Sequence, residues 1–488
     1  MKKAIVLGTV VLCMAGCGSS SKKTVVQELP VEQTSVFTSS DKELENAYNW
    51  AKKMALSYAH DNSDPVGYWY EAALPQREAF CMRDVSHQAV GAHILGLAKH
   101  NKNMFTRFAE NITEEKDWCT YWEINRYNKP APADYANDKE FWYNLNANFD
   151  VMQACLKMYQ WTGDAGYLTD SVFTNFYEKS VNEYIERWAL EPEKIMDRAP
   201  YMNQAKDFNP NNNFHTCRGL PSYVENFRGL TVGVDLLATL YAGYTAYAEM
   251  GELTGDAVKT AKGQEKAAAY QQILENNWWS PENSFYQTFW TVEKKFYRGE
   301  GVPFILWFDA SNNPDRIRAS VTDILSREWN VENMSAFPAL FYRLGYGEDA
   351  YRFLVGLPQM NRSEYPEVSY GIVEGTVCGV MGIRPLNSEN SIATCSRLAD
   401  NAQEAEIKNV PVFDGYITVK HKGQNRTEIE NNTSKELIWK VAFMGEHAQV
   451  KVNGKEYALT VSKDIRGNAI SEGSVSLPAR TRLSAEVM

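Results

Sequence analysis

The stretch PQREAFCMRDVSHQAVGAHILGLAKH, residues 75–100, changes from a charged segment into an almost wholly apolar one. Its second half carries apolar side chains at Val85, Ala89, Val90, Ala92, Ile94, Leu95, Leu97 and Ala98. A helix that is apolar on all sides is buried among other elements, so we predict a buried helix over residues 84–98. Its predicted N-cap is Asp84, because a carboxylate there accepts the unpaired N–H groups of the first turn.

Four charged or titratable residues precede or begin this helix, namely Glu78, Arg83, Asp84 and His87. Burying a charge is unfavourable unless the charge is paired, so few charges are expected near a buried helix without a function. The mouth of the helix is therefore the predicted place for chemistry. The competing interpretation is that Asp84 only caps the helix and that His87 is a hydrogen-bonded residue at its start.

The composition is that of a globular protein, with 488 residues, 44% hydrophobic and 23% charged. The formal net charge of -11 argues against a nucleic-acid partner, because no basic region is concentrated enough to follow phosphates. Aromatic residues make up 12% of the chain. Aromatic faces stack on the C–H faces of sugar rings, which is consistent with a carbohydrate ligand, but a large aromatic core explains the same content.

The N-terminus has the pattern of an export signal. Two lysines, Lys2 and Lys3, precede an apolar run over residues 4–14, which is too short for a stable membrane anchor. The sequence Met14-Ala15-Gly16-Cys17 is similar to a bacterial lipobox. We predict a lipoprotein signal peptide over 1–17, a lipid on Cys17, a linker over 18–40, and a membrane location on the periplasmic side or the cell surface. The alternative is a plain secretory signal with an incidental cysteine.

Six further cysteines form no CxxC pair and no Cys/His cluster with zinc-ligand spacing. They are Cys81, Cys119, Cys155, Cys217, Cys378 and Cys395. Apolar neighbours favour buried free thiols, although a disulfide is an alternative in an exported protein. The sequence also has no evident calcium loop or phosphate-binding glycine loop, so we predict neither a metal nor a cofactor.

Between residues 41 and 393 apolar side chains recur at helical spacing in eleven or twelve segments, joined alternately by short turns and long loops. One long loop, residues 117–143, is rich in aromatics and has no alternating strand pattern; another covers 191–221. The sequence lacks the 34-residue repeat that would indicate a helical solenoid. We predict a mainly α fold over 41–393, an (α/α)6 toroid of six helical hairpins whose long loops surround a central cleft.

After about residue 394 the apolar period changes from that of helices to that of strands. Three segments, 415–420, 436–441 and 448–452, alternate or are β-branched. Turn signals such as Asn453-Gly454 separate them. We predict a small C-terminal antiparallel β-sandwich over 394–488.

Cleavage of a glycosidic bond requires one carboxylic acid to protonate the leaving oxygen and a second carboxylate to activate water or attack the sugar. Candidates in acid-rich and aromatic-rich segments are Glu78, Glu123, Asp150, Glu225, Glu300, Glu364, Glu367 and Glu374. Each has a structural alternative, because a carboxylate can also cap a helix or pair with a neighbouring charge.

The segment Pro75-Gln76-Arg77-Glu78, followed six residues later by Asp84, resembles the segment that carries the acid glutamate of α-L-rhamnosidase-like six-hairpin glycosidases, glycoside hydrolase family 78. Residues 369–383, leading into 437–439, look like the last barrel helix and the C-terminal β-domain of that family. Met82-Arg83-Asp84 is similar to an Arg-Asp element of exo-acting inverting (α/α)6 glycosidases, where the pair holds the terminal sugar. Where the family has Gly-Trp-x-Gly-Asp, this chain has Cys81-Met82-Arg83-Asp84.

This resemblance implies a glycoside hydrolase, inverting and exo-acting, that removes a terminal sugar from a plant or host oligosaccharide or polysaccharide. Glu78 would be the general acid, with a pKa raised by Ala79, Phe80 and Met82, and Glu364 or Glu367 the base. Substrate-binding candidates are Arg83, Asp84, His87, Trp122, Glu123, Trp142, Asp150 and Glu225.

Two alternatives stay open. A polysaccharide lyase on the same toroid would use a His or Tyr base beside a cation that neutralises a uronate, for which His87, Tyr121 and Arg83 are candidates. A non-catalytic glycan-binding lipoprotein would share the lipobox and the aromatic content. The membrane is expected to be contacted through the lipid anchor alone.

Overall fold

A computed structural model describes residues 34–199, 218–224, 227, 229–360, 362 and 365–487. The predicted signal peptide with Cys17, the candidates Glu225 and Glu364, and Cys217 lie outside the described residues. Within these ranges no helix is both long enough and apolar enough to cross a bilayer.

The first part of the described chain is helical. Its helices are α1 Lys42–Ser57, α2 Met82–Ile94, α3 Ala98–Ala109, α4 Ala147–Thr162, α5 Gly166–Thr169, α6 Ser171–Lys179, α7 Ile185–Arg187, α8 Val234–Thr254, α9 Ala257–Ile273, α10 Val302–Trp307, α11 Pro314–Leu325, α12 Val331–Arg343, α13 Gly347–Gly356 and α14 Pro366–Glu374. A π-helical turn, Gly375–Val380, continues α14.

Six of these helices contact one another in a closed cycle. Around the cycle, α2 packs against α4, α4 against α8, α8 against α10, α10 against α12, α12 against α14, and α14 against α2. Outer helices pack on this cycle, with α1 on α14, α3 on α2, α9 on α8, α11 on α10 and α13 on α12. The described helices thus form an inner cycle and an outer layer.

The predicted buried helix exists as α2, but its ends differ from the prediction. The N-cap is Cys81, and Asp84 lies inside the first turn, so the capping role predicted for Asp84 is wrong. The helix ends at Ile94 because Gly96 has a φ of +88°, a left-handed conformation that favours glycine. The chain then starts α3 at Ala98. The Asp84 carboxylate is therefore not engaged as a cap.

Small residues let α14 approach its neighbours closely. A Cβ atom added to Gly91 of α2 would lie 2.3 Å from the carbonyl oxygen of Tyr370 on α14. A Cβ atom added to Gly371 of α14 would lie 2.2 Å from the carbonyl oxygen of Ser335 on α12. These contacts require glycine, and they fix the distances among the three helices that carry most of the site.

Short strands connect the helices. They are β2 Ala59–His60, β3 Trp69–Tyr70, β4 Ala79–Cys81, β5 Glu123–Asn125, β6 Tyr135–Asn137, β7 Glu140–Phe141, β8 Tyr143–Asn144, β9 Arg218–Leu220, β10 Leu230–Gly233, β11 Trp279–Ser280, β12 Phe285–Tyr286, β13 Phe289–Thr291 and β14 Phe296–Tyr297. The expectation of a strand-free loop over 117–143 is wrong, because β5 pairs with β4 and β6 with β7. The β4–β5 pairing joins this loop to the residues that precede α2.

The C-terminal part forms two sheets. The strands are β1 Val36–Ser39, β15 Arg384–Leu386, β16 Ser391–Cys395, β17 Glu404–Val412, β18 Gly415–Lys422, β19 Arg426–Asn431, β20 Leu437–Met444, β21 Gln449–Val452, β22 Lys455–Ala458, β23 Thr460–Lys463, β24 Ala469–Leu477 and β25 Thr481–Glu486. One sheet has the order β1-β17-β18-β19-β25-β21-β22 and the other β15-β16-β20-β24-β23. Alternate side chains of both sheets are buried, such as Ile407, Val419 and Ile429 in the first and Trp439 and Val441 in the second.

Three features differ from the sequence prediction for these sheets. Residues 36–39 were expected to be linker, but they form β1, which pairs with β17. The sheet region begins at β15, before residue 394. The sheets are not wholly antiparallel, since β16 and β20 pair in parallel. Pairing between strands that are far apart in the sequence cannot be recognised from the local sequence pattern.

The described cysteines are free thiols. They are Cys81, Cys119, Cys155, Cys378 and Cys395, and all except Cys378 are fully buried. This agrees with the first of the two interpretations given above.

Candidate active site

Three carboxylates and one guanidinium meet where α2, α12 and α14 converge. Arg83 of α2 holds Asp84 through its Nε atom at 3.2 Å, and its Nη2 atom lies 3.8 Å from Glu332 of α12. Glu367 lies in the first turn of α14, after Pro366 at the position that tolerates proline. We call Arg83, Asp84, Glu332 and Glu367 the carboxylate cluster.

Glu367 has an unusual protonation equilibrium. Burial raises the pKa of its carboxyl group well above the ordinary value, and the charges of Asp84 and Glu332 raise it further, against a smaller lowering by Arg83. Like charges at short range disfavour a second ionisation, and burial disfavours the first. Glu367 is therefore a carboxylic acid that keeps its proton at pH values where ordinary glutamates have lost theirs.

The carboxylate cluster lies at the boundary between two clefts. The front cleft encloses about 940 Å³ and is lined by residues of α2, α10, α12 and α14 with Tyr223, Val224 and Glu300. The side cleft encloses about 720 Å³ and is lined by Arg77, Trp122, Asp134, Trp142 and Tyr365, among others. All four residues of the cluster line both clefts. A ligand that occupies both clefts therefore passes the cluster.

His87 lines the front cleft and is surrounded by aromatic side chains. Its Nε2 atom is 3.5 Å from Oδ1 of Asp150 on α4. Burial raises the pKa of Asp150, and His87 opposes this shift. The ring of His87 lies 5.8 Å from that of Trp307 and 6.1 Å from that of Phe304. Asp150 does not line the cleft itself, and it is connected to the cleft wall through His87.

The side cleft has a charged wall and two tryptophans. Nη1 of Arg77 donates to Glu123 at 3.0 Å and to Asp134 at 3.3 Å. Burial, then the neighbouring Asp134, raises the pKa of Glu123 well above its ordinary value. Glu123 is buried behind Arg77 and does not line the cleft, whereas Trp122 and Trp142 do.

A third, larger cleft of about 2020 Å³ lies between the helices and the five-stranded sheet, and we call it the rear cleft. It shares Trp307 and Glu374 with the front cleft. Burial raises the pKa of Glu374, while the nearby cations Lys157 and Arg343 oppose this shift. Nζ of Lys157 is 5.1 Å from the Trp307 ring centroid. These side chains separate the front cleft from the rear cleft.

Glu78 is not part of this arrangement. Its side chain is 52% exposed, and Oε1 accepts a 2.6 Å bond from Nη1 of Arg126. It lines neither the front nor the side cleft. The predicted apolar wall does not surround it, because Ala79 and Phe80 point into the core. The expected gathering at the mouth of α2 therefore holds for Arg83, Asp84 and His87 and is wrong for Glu78.

Sequence reasoning missed several cleft residues. Glu332 was not singled out, although it lies in the first turn of a helix capped by Asn330, a recognisable helix start. Gln88, Tyr223 and Trp307 also line the front cleft. No local pattern distinguishes these three from ordinary core residues.

The sequence matches no protein-family model and no curated protein. Solved structures nevertheless share its fold. An α-L-rhamnosidase from Dictyoglumus thermophilum aligns with a TM-score of 0.59 at 12% identity, over 93% of this chain and 50% of that one. A GH78 family rhamnosidase of Bacillus sp. GL1 aligns with a TM-score of 0.57 at 10% identity, over 83% of this chain and 41% of that one. The α-L-rhamnosidase of Aspergillus terreus aligns with a TM-score of 0.52 at 11% identity, over 91% of this chain and 50% of that one.

This chain shares its fold with these three glycosidases. It spans half the length, or less, of these three rhamnosidases. At these identities the likeness concerns the fold, and it agrees with the resemblance noted for residues 75–84 and 369–383.

Proposed function

We propose that the closed helix cycle with its outer layer is an (α/α)6 toroid followed by a β-sandwich, and that the protein is an exo-acting, inverting glycoside hydrolase. The observation that carries this proposal is the raised pKa of Glu367 beside two further carboxylates at the boundary of two clefts. A protonated carboxyl next to an ionised one is the combination that acid/base hydrolysis of a glycoside requires.

In the proposed reaction Glu367 donates its proton to the glycosidic oxygen while the bond from this oxygen to the anomeric carbon breaks. Glu332, whose side chain is 40% exposed, takes a proton from a water molecule that attacks the anomeric carbon from the opposite face. The products are an alcohol and a sugar of inverted configuration, which requires the two carboxyls to be roughly 6.5–9.5 Å apart. Glu364 stays a competing assignment for the base.

The terminal sugar is proposed to bind in the front cleft and the remainder of the glycan in the side cleft. Arg83, Asp84 and His87 line the front cleft with both donors and acceptors for sugar hydroxyl groups. Trp122 and Trp142 line the side cleft, where the following unit would contact the small exposed parts of these residues, 7% and 3%. Trp307 and Glu374 lie between the front and rear clefts, and a front cleft bounded by them favours cleavage from a chain end.

The charge of the front cleft favours a neutral sugar and disfavours the lyase alternative. Its described lining residues include five carboxyl groups, against Arg83 and His87 as potential cations. They are Asp84, Glu300, Glu332, Glu367 and Glu374, and burial raises the pKa of Glu367 and Glu374, so the repulsion rests on the other three. A uronate would be repelled here, whereas lyase chemistry needs its carboxylate neutralised.

The export signal supports a lipoprotein on a bacterial membrane, with Cys17 carrying the lipid. Incorporation of a radiolabelled fatty acid into the wild type but not into Cys17→Ser tests this proposal. Labelling of both proteins to the same extent would refute it.

The hydrolase proposal is tested with a panel of neutral aryl glycosides. We expect Glu367→Gln and Glu332→Gln each to reduce kcat by about 10²–10⁴-fold, the usual contribution of a general acid or base. Glu78→Gln tests the competing assignment of the acid, and Glu265→Gln, on an exposed side chain, is the matched control.

Two results would overturn the residue assignment or the stereochemistry. A large loss in Glu78→Gln together with an active Glu367→Gln would return the acid role to Glu78. NMR of the first product should show the anomer opposite to that of the substrate, and initial retention would exclude the inverting mechanism. A protein that binds glycans but cleaves none would support the non-catalytic alternative.

A further inference from the structure

The front cleft contains polar atoms that no described protein group satisfies. Gln88 is 2% exposed, and neither its side-chain Nε2 nor its Oε1 atom has a hydrogen-bond partner. The buried hydroxyl of Tyr223 and the indole Nε1 of Trp307 are also unpaired. All three side chains line the front cleft.

Buried polar side chains in folded proteins are nearly always hydrogen-bonded, because an unpaired one destabilises the fold. An amide with both its donor and its acceptor unpaired is therefore unexpected in a side chain chosen for packing alone. A core position of this size would be better filled by leucine or methionine. The pairing of Gln88 is thus expected to come from a ligand in the cleft.

The place of Gln88 on α2 indicates which part of a ligand it would contact. Gln88 follows Asp84 by four residues, so both lie on the same face of the helix. Four residues rise about 6 Å along the helix axis, slightly more than one turn. If the carboxylate cluster lies beside the scissile bond, the amide lies beside the ring of the bound sugar.

The chemistry of these groups selects a sugar with adjacent hydroxyl groups. A side-chain amide presents one acceptor and two N–H donors in a plane, which suits two neighbouring hydroxyls. The Tyr223 hydroxyl donates or accepts, and the Trp307 indole only donates. The ring of Tyr223 lies under Arg83, whose Cζ is 5.3 Å from the ring centroid, so this hydroxyl is held in place.

We propose that Gln88 is a specificity-determining residue that binds two adjacent hydroxyl groups of the terminal neutral sugar, with Tyr223 and Trp307 pairing further polar atoms of the same ring. This inference rests on the proposed function for the identity of the ligand as a terminal sugar. It adds a residue that acts in substrate selection and not in proton transfer.

The test measures each enzyme variant on the parent sugar and on its deoxy analogues, so that the effects of the two changes can be compared. The best substrate of the aryl glycoside panel is compared with its monodeoxy analogues for the wild type and for Gln88→Met, which keeps the length and apolar stem of the side chain. A site built to bind a hydroxyl rejects the analogue that lacks it, because the buried partner is left unpaired. We expect the wild type to lose about tenfold or more in kcat/KM for two analogues deoxygenated at neighbouring positions.

Gln88→Met should be a weaker enzyme on the parent sugar but should no longer discriminate at those two positions. Discrimination at the other positions should be unchanged. The matched control is Gln153→Met on α4, whose side chain lines the rear cleft, and it should keep the wild-type pattern. Retention of that pattern by Gln88→Met would overturn the proposal.

Two measurements separate this inference from the function on which it rests. Because Gln88 makes no hydrogen bond to any described protein group, Gln88→Met should unfold at the same temperature as the wild type or at a higher one. A lower unfolding temperature with unchanged discrimination would mean a structural role. If the wild type hydrolyses nothing, calorimetric binding of the free sugar and its deoxy forms still tests Gln88. Loss of the same two-position discrimination in Gln88→Met would then support the inference without the hydrolase.

Discussion

At the scale of single residues, the environment of Glu367 explains why this carboxyl differs from the other glutamates of the chain. Burial, Asp84 and Glu332 all favour its protonated form, and Arg83 opposes them weakly. A carboxyl held protonated in this way destabilises the fold once it ionises. Under the proposed function, activity and stability are therefore in conflict at this position, as is common in active sites.

The first prediction concerns the pH dependence of stability. The folded-state pKa of Glu367 is raised, so its contribution to stability is complete below the unfolded-state pKa and is lost as the pH rises through the folded-state pKa. Glu367→Gln cannot ionise and avoids this loss. We expect its thermal midpoint to exceed that of the wild type, by an amount that grows from pH 4 to pH 8.

Thermal unfolding followed by circular dichroism at several pH values measures this difference. Glu265→Gln, on an exposed helix position, serves as the control and should show little change. A difference that shrinks as the pH rises would mean that the pKa of Glu367 is not raised.

At the scale of elements, the site depends on how closely α2 and α14 approach each other. Gly91 and Tyr370 touch through backbone atoms, and this contact sets the distance between the helix that carries Arg83 and Asp84 and the helix that carries Glu367. Packed interiors transmit such displacements, because they contain few voids that could absorb them.

We predict that Gly91→Ala destabilises the protein by about 1–3 kcal/mol, the usual effect of adding a methyl group to a filled interior. The activity should fall as well, since α2 must move away from α14. Gly356→Ala is the matched control, because a Cβ atom there meets nothing within 4 Å. Urea unfolding and kcat/KM measure the two effects; a Gly91→Ala protein as stable and active as Gly356→Ala would contradict the prediction.

At the scale of the whole molecule, two buried histidines link the helices to the sheets. His93 of α2 is bonded through Nε2 to the carbonyl oxygen of Pro411 on β17 at 3.0 Å. His421 of β18 is bonded through Nε2 to the carbonyl oxygen of Met381, just after the α14 region, at 3.0 Å. Burial lowers the pKa of each to about 4. Both imidazoles are therefore neutral in the folded protein near pH 7.

The junction between helices and sheets should consequently weaken in acid. A histidine with a lowered folded-state pKa contributes stability above its unfolded-state pKa and loses it as the pH falls towards the folded-state value. Between pH 7 and pH 5 we expect a loss on the order of 2 kcal/mol for each histidine. Urea unfolding at both pH values measures this loss.

The double variant His93→Gln/His421→Gln cannot be protonated and should lose less stability over the same pH range. His447→Gln, at a partly exposed position, provides a control for general effects of charge. An equal loss in the double variant and the wild type would show that these two histidines do not titrate in this range.

The sequence by itself determined the helical pattern of the first part of the chain and the change to strands in the last part. The apolar residues among 85–94, which are Val85, Ala89, Val90, Ala92 and Ile94, specify a largely buried helix, and the change to a two-residue period after about residue 394 specifies strands. Both signals are local, because helix and strand periodicity depend on neighbouring residues. The likeness of residues 75–84 to a known segment added the glycosidase fold, which the structural neighbours bear out.

The tertiary structure alone decided which carboxylates meet. Glu78 is close to Asp84 in the chain, yet Arg126 holds it at the surface. Glu332 is distant in the chain, yet α12 brings it beside Arg83 and Glu367. The pairing of β1 with β17 is decided in the same way. Local periodicity fixes which side of an element faces inward, whereas the pKa of a carboxyl depends on charges and burial contributed by elements that only packing brings together.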